Sequence, residues 1–248
     1  MAFDIEKTLA HIPERSLKAD AIKATGLQNT DDVISMGVAD MSFKPPSVVL
    51  DELTNEIQQG FFGYYGGKNN YKAALKNWMK KMHSWEPKSE WIHTAHGLVA
   101  AIGTALRAYT NKGDGIILFS PVYHSFKKII QANDRNPIEC PMNLSEGKYY
   151  LDLGRLEGML TGQEKMIIFC SPHNPGGRIW SLEVQRELAY FCKRHNLLLI
   201  IDEIHNDLVF PQNKHVTFPL AAEGLFDNFI LMTSTTKTFN IAGGLMGN

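Results

Sequence analysis

Cysteine is scarce in this sequence. Cys140, Cys170 and Cys192 are the only three among 248 residues, and an odd number without metal-ligand spacing supports neither a disulfide framework nor a zinc site. A reducing cytoplasm is the expected setting. No apolar run approaches the length needed to cross a bilayer, and the opening stretch MAFDIEKTLAHIPERSLKAD carries charge throughout, with no apolar leader core. Neither sign of charge is in excess: 25 Lys and Arg stand against 26 Asp and Glu, a formal net charge of -1. No overall field draws phosphate backbones or anionic lipids, so neither nucleic acid nor membrane is expected as a partner. Internal repeats and low-complexity segments are also missing, which argues against solenoids and disordered tails.

What is present is the 44% hydrophobic content of an ordinary globular chain, enough for a sizeable core in one large domain or two small ones. Residues 1–46 are polar and mixed and end at Pro45 and Pro46, which favour extended or turning backbone. They read as an N-terminal arm, or part of a small domain, leading into a domain over 47–248. Ser47 is expected to cap a helix over SVVLDELTNEIQQG, closed by Gly60, and NYKAALKNWMKKMHSW repeats the helical period. Short apolar runs then alternate with amphipathic stretches: GIILF with SFKKIIQAND, KMIIFC with SLEVQRELAYFCKRHN, then LLLIID and NFILMTS. Runs apolar throughout and separated by helices are the pattern of strands buried on both faces of a parallel sheet, so the fold class is α/β. In such sheets the ligand crevice lies beyond the carboxyl ends of the strands.

The strand ends carry SPVYHSF, SPHNPGG, DEIH and STTK. Together they offer an aromatic plate, a side-chain amide, a carboxylate and an amine, a set suited to a flat, cationic, phosphorylated ring. Each has a plainer explanation when taken alone. A loop lysine is usually exposed and a tyrosine fills a core; an aspartate where a strand meets a helix is a candidate N-cap; Asn-Pro-Gly makes a turn; a glycine at a helix start is an ordinary cap. Taken in order, SPHNPGGRIW, DEIHNDLVF and TTKTFNIAGG, with VADMSF upstream, resemble the fold-type I pyridoxal phosphate enzymes of the aminotransferase class I/II superfamily. Within it, the similarity is to the cystathionine β-lyase (carbon-sulfur lyase) branch, over nearly the whole chain.

The resemblance implies an aspartate aminotransferase-like large domain with a mostly parallel central sheet flanked by helices, the C-terminal small domain being missing from this chain. It implies pyridoxal 5'-phosphate as cofactor, with Lys237 as the catalytic amine, able to bond the cofactor aldehyde while unprotonated. Asp202 is implied as the partner of the ring nitrogen, and Asn174 as an amide donor to the phenolic oxygen. His205 stands where many relatives carry a tyrosine, and either contacts the same oxygen or is an internally satisfied histidine. Tyr123 is implied to stack on the ring. Gly97, Leu98 and Val99 would offer backbone N–H groups to the phosphate at a helix start, with Ser234 adding a hydroxyl. Tyr64, with Tyr65 as its neighbouring competitor, is implied to reach the phosphate of a second subunit, so a homodimer is expected. Asp40 and Met41 are expected to line the substrate side without a chemical role. No metal is implied. The arginine that would clamp a substrate carboxylate has no counterpart here, so the chain is expected to be a fragment. The implied reaction is α,β-elimination of cystathionine or a cysteine-type substrate to a thiol such as homocysteine, pyruvate and ammonia. An aminotransferase is the alternative within the family; a catalytically inactive regulatory or interaction protein on this fold is the alternative outside it.

Overall fold

A computed structural model describes residues 16–27, 33–64 and 66–248. They form two compact units: the described residues of Met1–Tyr65 with Thr235–Gly244, and Gly66–Ser234 with Leu245–Asn248.

The first unit begins with α1 (Leu17–Ala24), whose N-cap Ser16 accepts a hydrogen bond from the Ala19 N–H. Next comes α2 (Ser47–Gln59), over the residues whose period predicts it. Ser47 is its first helical residue and not its cap. Pro46 holds the N-cap position, its ring fixing φ at −51°, and no side chain accepts from the first turn. Gly60 closes the helix in the left-handed conformation, φ 66°, with its N–H on the Ile57 carbonyl.

The second unit contains α3 (Lys68–His83), α4 (Leu98–Tyr109), β1 (Gly115–Ser120), α5 (His124–Ala132), β2 (Asn136–Pro141), β3 (Asn143–Ser145) and β4 (Lys148–Tyr150). It continues with α6 (Leu153–Met159), β5 (Glu164–Cys170), α7 (Leu182–Arg194), β6 (Leu198–Asp202), α8 (Phe218–Ala222) and β7 (Phe229–Met232). Five strands make one sheet in the order β2-β1-β5-β6-β7, and every neighbouring pair is parallel. The four apolar runs singled out in the sequence are β1, β5, β6 and β7, which bears out the α/β class and its parallel sheet. β2 was not among them: NPIECP mixes prolines and a glutamate and buries little, as an edge strand can. The short antiparallel pair β3–β4 is likewise exposed and carries no apolar alternation.

Alternate residues of the central strands feed two separate cores. Ile117, Ile167, Phe169, Leu199 and Ile201 pack on one face with Leu188, Phe191 and Cys192 of α7 and with Trp180. On the other, Ile116, Leu118, Met166, Ile168 and Ile200 meet Ile102 and Leu106 of α4 and Phe126 and Ile130 of α5. The parallel register sets Cys170 opposite Asp202, and Asp202 opposite Met232, so β5, β6 and β7 finish level and their following residues emerge together. A cavity of about 880 Å³ beside β7, lined by Trp85, Trp91, Tyr109, Phe226 and Phe229 among others, includes none of the candidate site residues. No described helix is long and apolar enough to cross a membrane.

Phe169 lies between Phe119 and Trp180, and Trp180 is tied to β5 by its Nε1–H on the Cys170 carbonyl at 3.0 Å. Phe169→Ala is expected to cost about 3–5 kcal/mol in urea unfolding; a loss below about 1 kcal/mol would show that this layer is not a tightly packed core.

Candidate functional site

Asp202 ends β6 and is 5% exposed. Its Oδ1 accepts from the Ile204 N–H at 3.0 Å. Residues 204–207 are turn, so the aspartate closes a side-chain turn rather than capping a helix. Burial pushes its pKa up to about 6; the Ile204 N–H opposes that rise and the charge of Glu203 adds to it. A buried carboxylate of this kind is costly when ionised unless a cation joins it. A protonated ring nitrogen is chemically such a cation, and the residue fits that role.

Asn174 follows β5 on a loop closed by the Gly177 N–H on the His173 carbonyl and the His173 N–H on the Arg178 carbonyl, each at 2.8 Å. Gly176 has no room for a side chain: a Cβ would lie 2.7 Å from the Tyr149 ring and 2.9 Å from that of His173. The turn therefore exists, and Asn174 rides on it half-buried. Tyr123, after β1, is half-buried at the start of α5, its ring 5.0 Å from that of His124 and 5.5 Å from that of Phe126. It sits at the rim of the core, where one face can be both packed and presented. His205 is half-buried in the turn after β6, its carbonyl accepting from the Leu208 N–H at 2.9 Å.

Gly97 holds the N-cap of α4 at φ 84°, a conformation glycine adopts without strain. Leu98 and Val99 occupy the first turn, whose N–H groups have no acceptor within the helix and are suited to an anion. Residues 245–248 link this loop to the end of β7. Ala95 pairs with Gly247 through bonds of 2.8 and 3.0 Å, and Thr233 pairs with Asn248 at 3.0 and 2.9 Å. The Ser234 hydroxyl donates to the Met246 carbonyl at 2.7 Å. The two sequence segments expected at the phosphate are thus bound to one short stretch of backbone.

In the first unit, Lys237 lies on the single turn α9 (Thr235–Thr238), and its Nζ donates to the Ala39 carbonyl at 2.6 Å. Partial burial lowers its pKa, while the Asp40 carboxylate works in the opposite sense. Tyr64 is fully exposed, which is incompatible with local packing. Tyr65 lies outside the described residues.

The sequence reading missed the groups that fix the Asp202 turn. Glu203 is wholly buried and accepts from the Phe218 N–H at 2.7 Å and the Thr217 hydroxyl at 2.8 Å. His215 Nε2 stands 3.1 Å from the same carboxylate, a close polar contact without hydrogen-bond alignment. Asp207 accepts from Trp78 Nε1 at 3.0 Å and meets His83 Nε2 at 2.7 Å. Residues 203 and 207 are thereby pinned to the start of α8 and to α3. The acids flanking His205 in DEIHND were the available signal, but nothing local shows which acids are buried.

Residues 31–247 match the family described as aminotransferase class I and II. Cystathionine β-lyase PatB of Bacillus subtilis (strain 168) is 33% identical over 241 residues, which is 97% of this chain and 62% of that protein. Among solved structures, pyridoxal 5'-phosphate-containing cystalysin of Treponema denticola has a TM-score of 0.93 and 35% identity, covering 100% of this chain and 63% of its own. A pyridoxal phosphate-bound C-S lyase of Staphylococcus hominis, complexed with L-cycloserine, has a TM-score of 0.91 and 28% identity, covering 100% of this chain and 65% of its own. The chain therefore spans a little under two thirds of the length of these relatives.

The raised pKa of Asp202 has a definite sign in stability. Without a cation beside it, the native state holds this proton up to about pH 6, whereas an unfolded aspartate loses it near pH 4. Stability contributed by the group therefore falls as pH rises through that window. Asp202→Asn is expected to stabilise cofactor-free protein by roughly 3 kcal/mol at pH 8 and by little at pH 4 in urea unfolding. An equal gain at both pH values would contradict the assignment.

Proposed function

Because the chain belongs to the aminotransferase class I and II family, we propose that it is the cofactor-binding part of a pyridoxal 5'-phosphate-dependent carbon-sulfur β-lyase. By function, residues 47–248 are assigned to cofactor binding and 1–46 to an arm or part of a small domain, a division that does not follow the two compact units, which place 47–64 and 235–244 with the N-terminal part; the enzyme works as a homodimer in the cytoplasm. Its substrate is cystathionine or another cysteine-type sulfur amino acid; its products are a thiol (homocysteine from cystathionine), pyruvate and ammonia. The single observation that carries this reading is Asp202, a buried carboxylate with a raised pKa at the end of β6. The kinship with PatB and with the C-S lyase structures supports the reaction type.

When bound, the cofactor supplies an electron-withdrawing ring that accepts negative charge from the substrate Cα. The chain's own residues do the rest. Lys237 Nζ, its proton affinity lowered by partial burial, is available as a neutral amine to bond the cofactor aldehyde and, once released, to take the Cα proton. Asp202 keeps a proton on the ring nitrogen, because a buried carboxylate and a cation stabilise each other. The first-turn N–H groups of Leu98 and Val99 would hold the phosphate; Gly97 and Ser234 would join them only by giving up the bonds that the Gly97 N–H makes to the Ala95 carbonyl and the Ser234 hydroxyl to the Met246 carbonyl. Asn174 donates to the phenolic oxygen, joined by His205, and Tyr123 covers one ring face. Tyr64, fully exposed here, reaches the phosphate in the second subunit.

Full-length protein given cystathionine should release pyruvate, and borohydride should fix the cofactor on Lys237. Lys237→Ala should abolish the fixed adduct and lower pyruvate release by at least about 100-fold. Undiminished release from that variant would sink the lysine assignment; transfer of the amino group to a keto acid, with no pyruvate formed, would make the protein an aminotransferase.

A further inference from the structure

Asn240 lies three residues beyond Lys237, with φ 54°, a left-handed conformation that asparagine tolerates better than most residues. Its side-chain amide has an unusual amount to do. Oδ1 accepts from the Met41 N–H at 3.1 Å, while Nδ2 donates to the Met41 carbonyl at 3.2 Å and the Phe43 carbonyl at 2.6 Å. Both the N–H and the C=O of Met41 are therefore engaged by one side chain, as one strand engages the edge of another. Two residues before Met41, the Ala39 carbonyl takes the hydrogen bond from Lys237 Nζ at 2.6 Å. Between them Asp40 is held by its own N–H on the Val38 carbonyl at 2.8 Å, and its carboxylate is the charged group acting on the lysine. The reactive amine and the amide that grips its neighbour thus sit on the same short turn and hold the same stretch of chain.

We propose that Asn240 is a positioning residue for the Lys237 amine: by fastening the main chain at 41 and 43, it keeps the Ala39 carbonyl on Nζ and Asp40 within electrostatic reach of it. The role of that amine in turnover rests on the function proposed above, but the latch and its grip on the amine do not. A carbonyl accepts from the amine in either charge state, more strongly from the ammonium, so the Ala39 contact fixes direction and leans, like Asp40, toward the charged form. Desolvation selects the neutral form and Asp40 the charged one. With the latch released, water returns to Nζ and its proton affinity moves back toward that of an ordinary lysine. Neutralising Asp40 moves it the other way.

The test uses full-length protein freed of cofactor. Hydrogen exchange is followed over residues 38–44, and the pH profile of Lys237 acetylation by acetic anhydride is read by peptide mass spectrometry. Asn240→Gly keeps the backbone conformation and removes the amide; it should speed exchange at Met41 at least about tenfold and raise the pH midpoint of labelling. Asp40→Asn should lower that midpoint. Asn240→Asp keeps only the acceptor for the Met41 N–H, so its exchange should fall between wild type and Asn240→Gly; it also serves should the glycine variant fail to fold. Unchanged exchange in the amide-deficient variants would overturn the latch. Faster exchange with an unmoved labelling midpoint would overturn the positioning role and leave a purely structural tie. If wild-type protein cannot be fixed to pyridoxal phosphate by borohydride, the proposed function fails while both of these measurements stand.

Discussion

Withdrawal of the Asp202 carboxylate from water is the constraint on which the rest of the second unit depends. β6 is flanked by β5 and β7, so its last residue cannot turn toward solvent without breaking a ladder on either side. Its neighbour Glu203 is buried just as deeply, yet its two oxygens are met by the Phe218 N–H, the Thr217 hydroxyl and the His215 ring. The two adjacent acids differ in how they are satisfied. Glu203 has its partners within the chain, whereas Asp202 has the Ile204 N–H and, under the function proposed above, would take its cation from the cofactor ring.

The same physical effect, loss of hydration, acts on Lys237 in the first unit with the opposite sign. Burial raises the proton affinity of a carboxylate and lowers that of an amine, so both groups are driven toward their uncharged forms. For the aspartate that is a cost which a cationic ligand would relieve. In the lysine it is a gain, because only the neutral amine is a nucleophile.

Much of this was legible in the sequence, for reasons that can be named. β1, β5, β6 and β7 are apolar throughout because both faces are covered, and that leaves a mark independent of what they pack against. β2 leaves no such mark, since an edge strand is held by main-chain bonds that many side chains permit. Asp202, Asn174 and Gly97 lie at a strand end, a turn and a helix start, local events that the sequence shows, but it was the resemblance to a known family that singled them out from plainer explanations. The roles of Glu203, Asp207 and Asn240 were not legible: each depends on partners 14, 129 and 199 residues away, and no spacing rule reaches so far. Ser47 shows the converse failure, where a good capping residue lost its place to a proline with a better-fixed backbone.

Asn240 and Lys237 grip the segment at Ala39, Met41 and Phe43 through its main-chain atoms, while its side chains take part at Asp40, whose charge acts on the lysine, and at Ser42, whose hydroxyl accepts from Lys18 Nζ at 3.1 Å. The bonds to 39, 41 and 43 therefore set no demand on the side chains at those three positions, whereas position 240 must supply both a donor and an acceptor from a left-handed backbone. Tolerance to substitution is thus distributed unevenly across the two halves of a single contact, and variation on one side carries no information about how firmly the other is constrained.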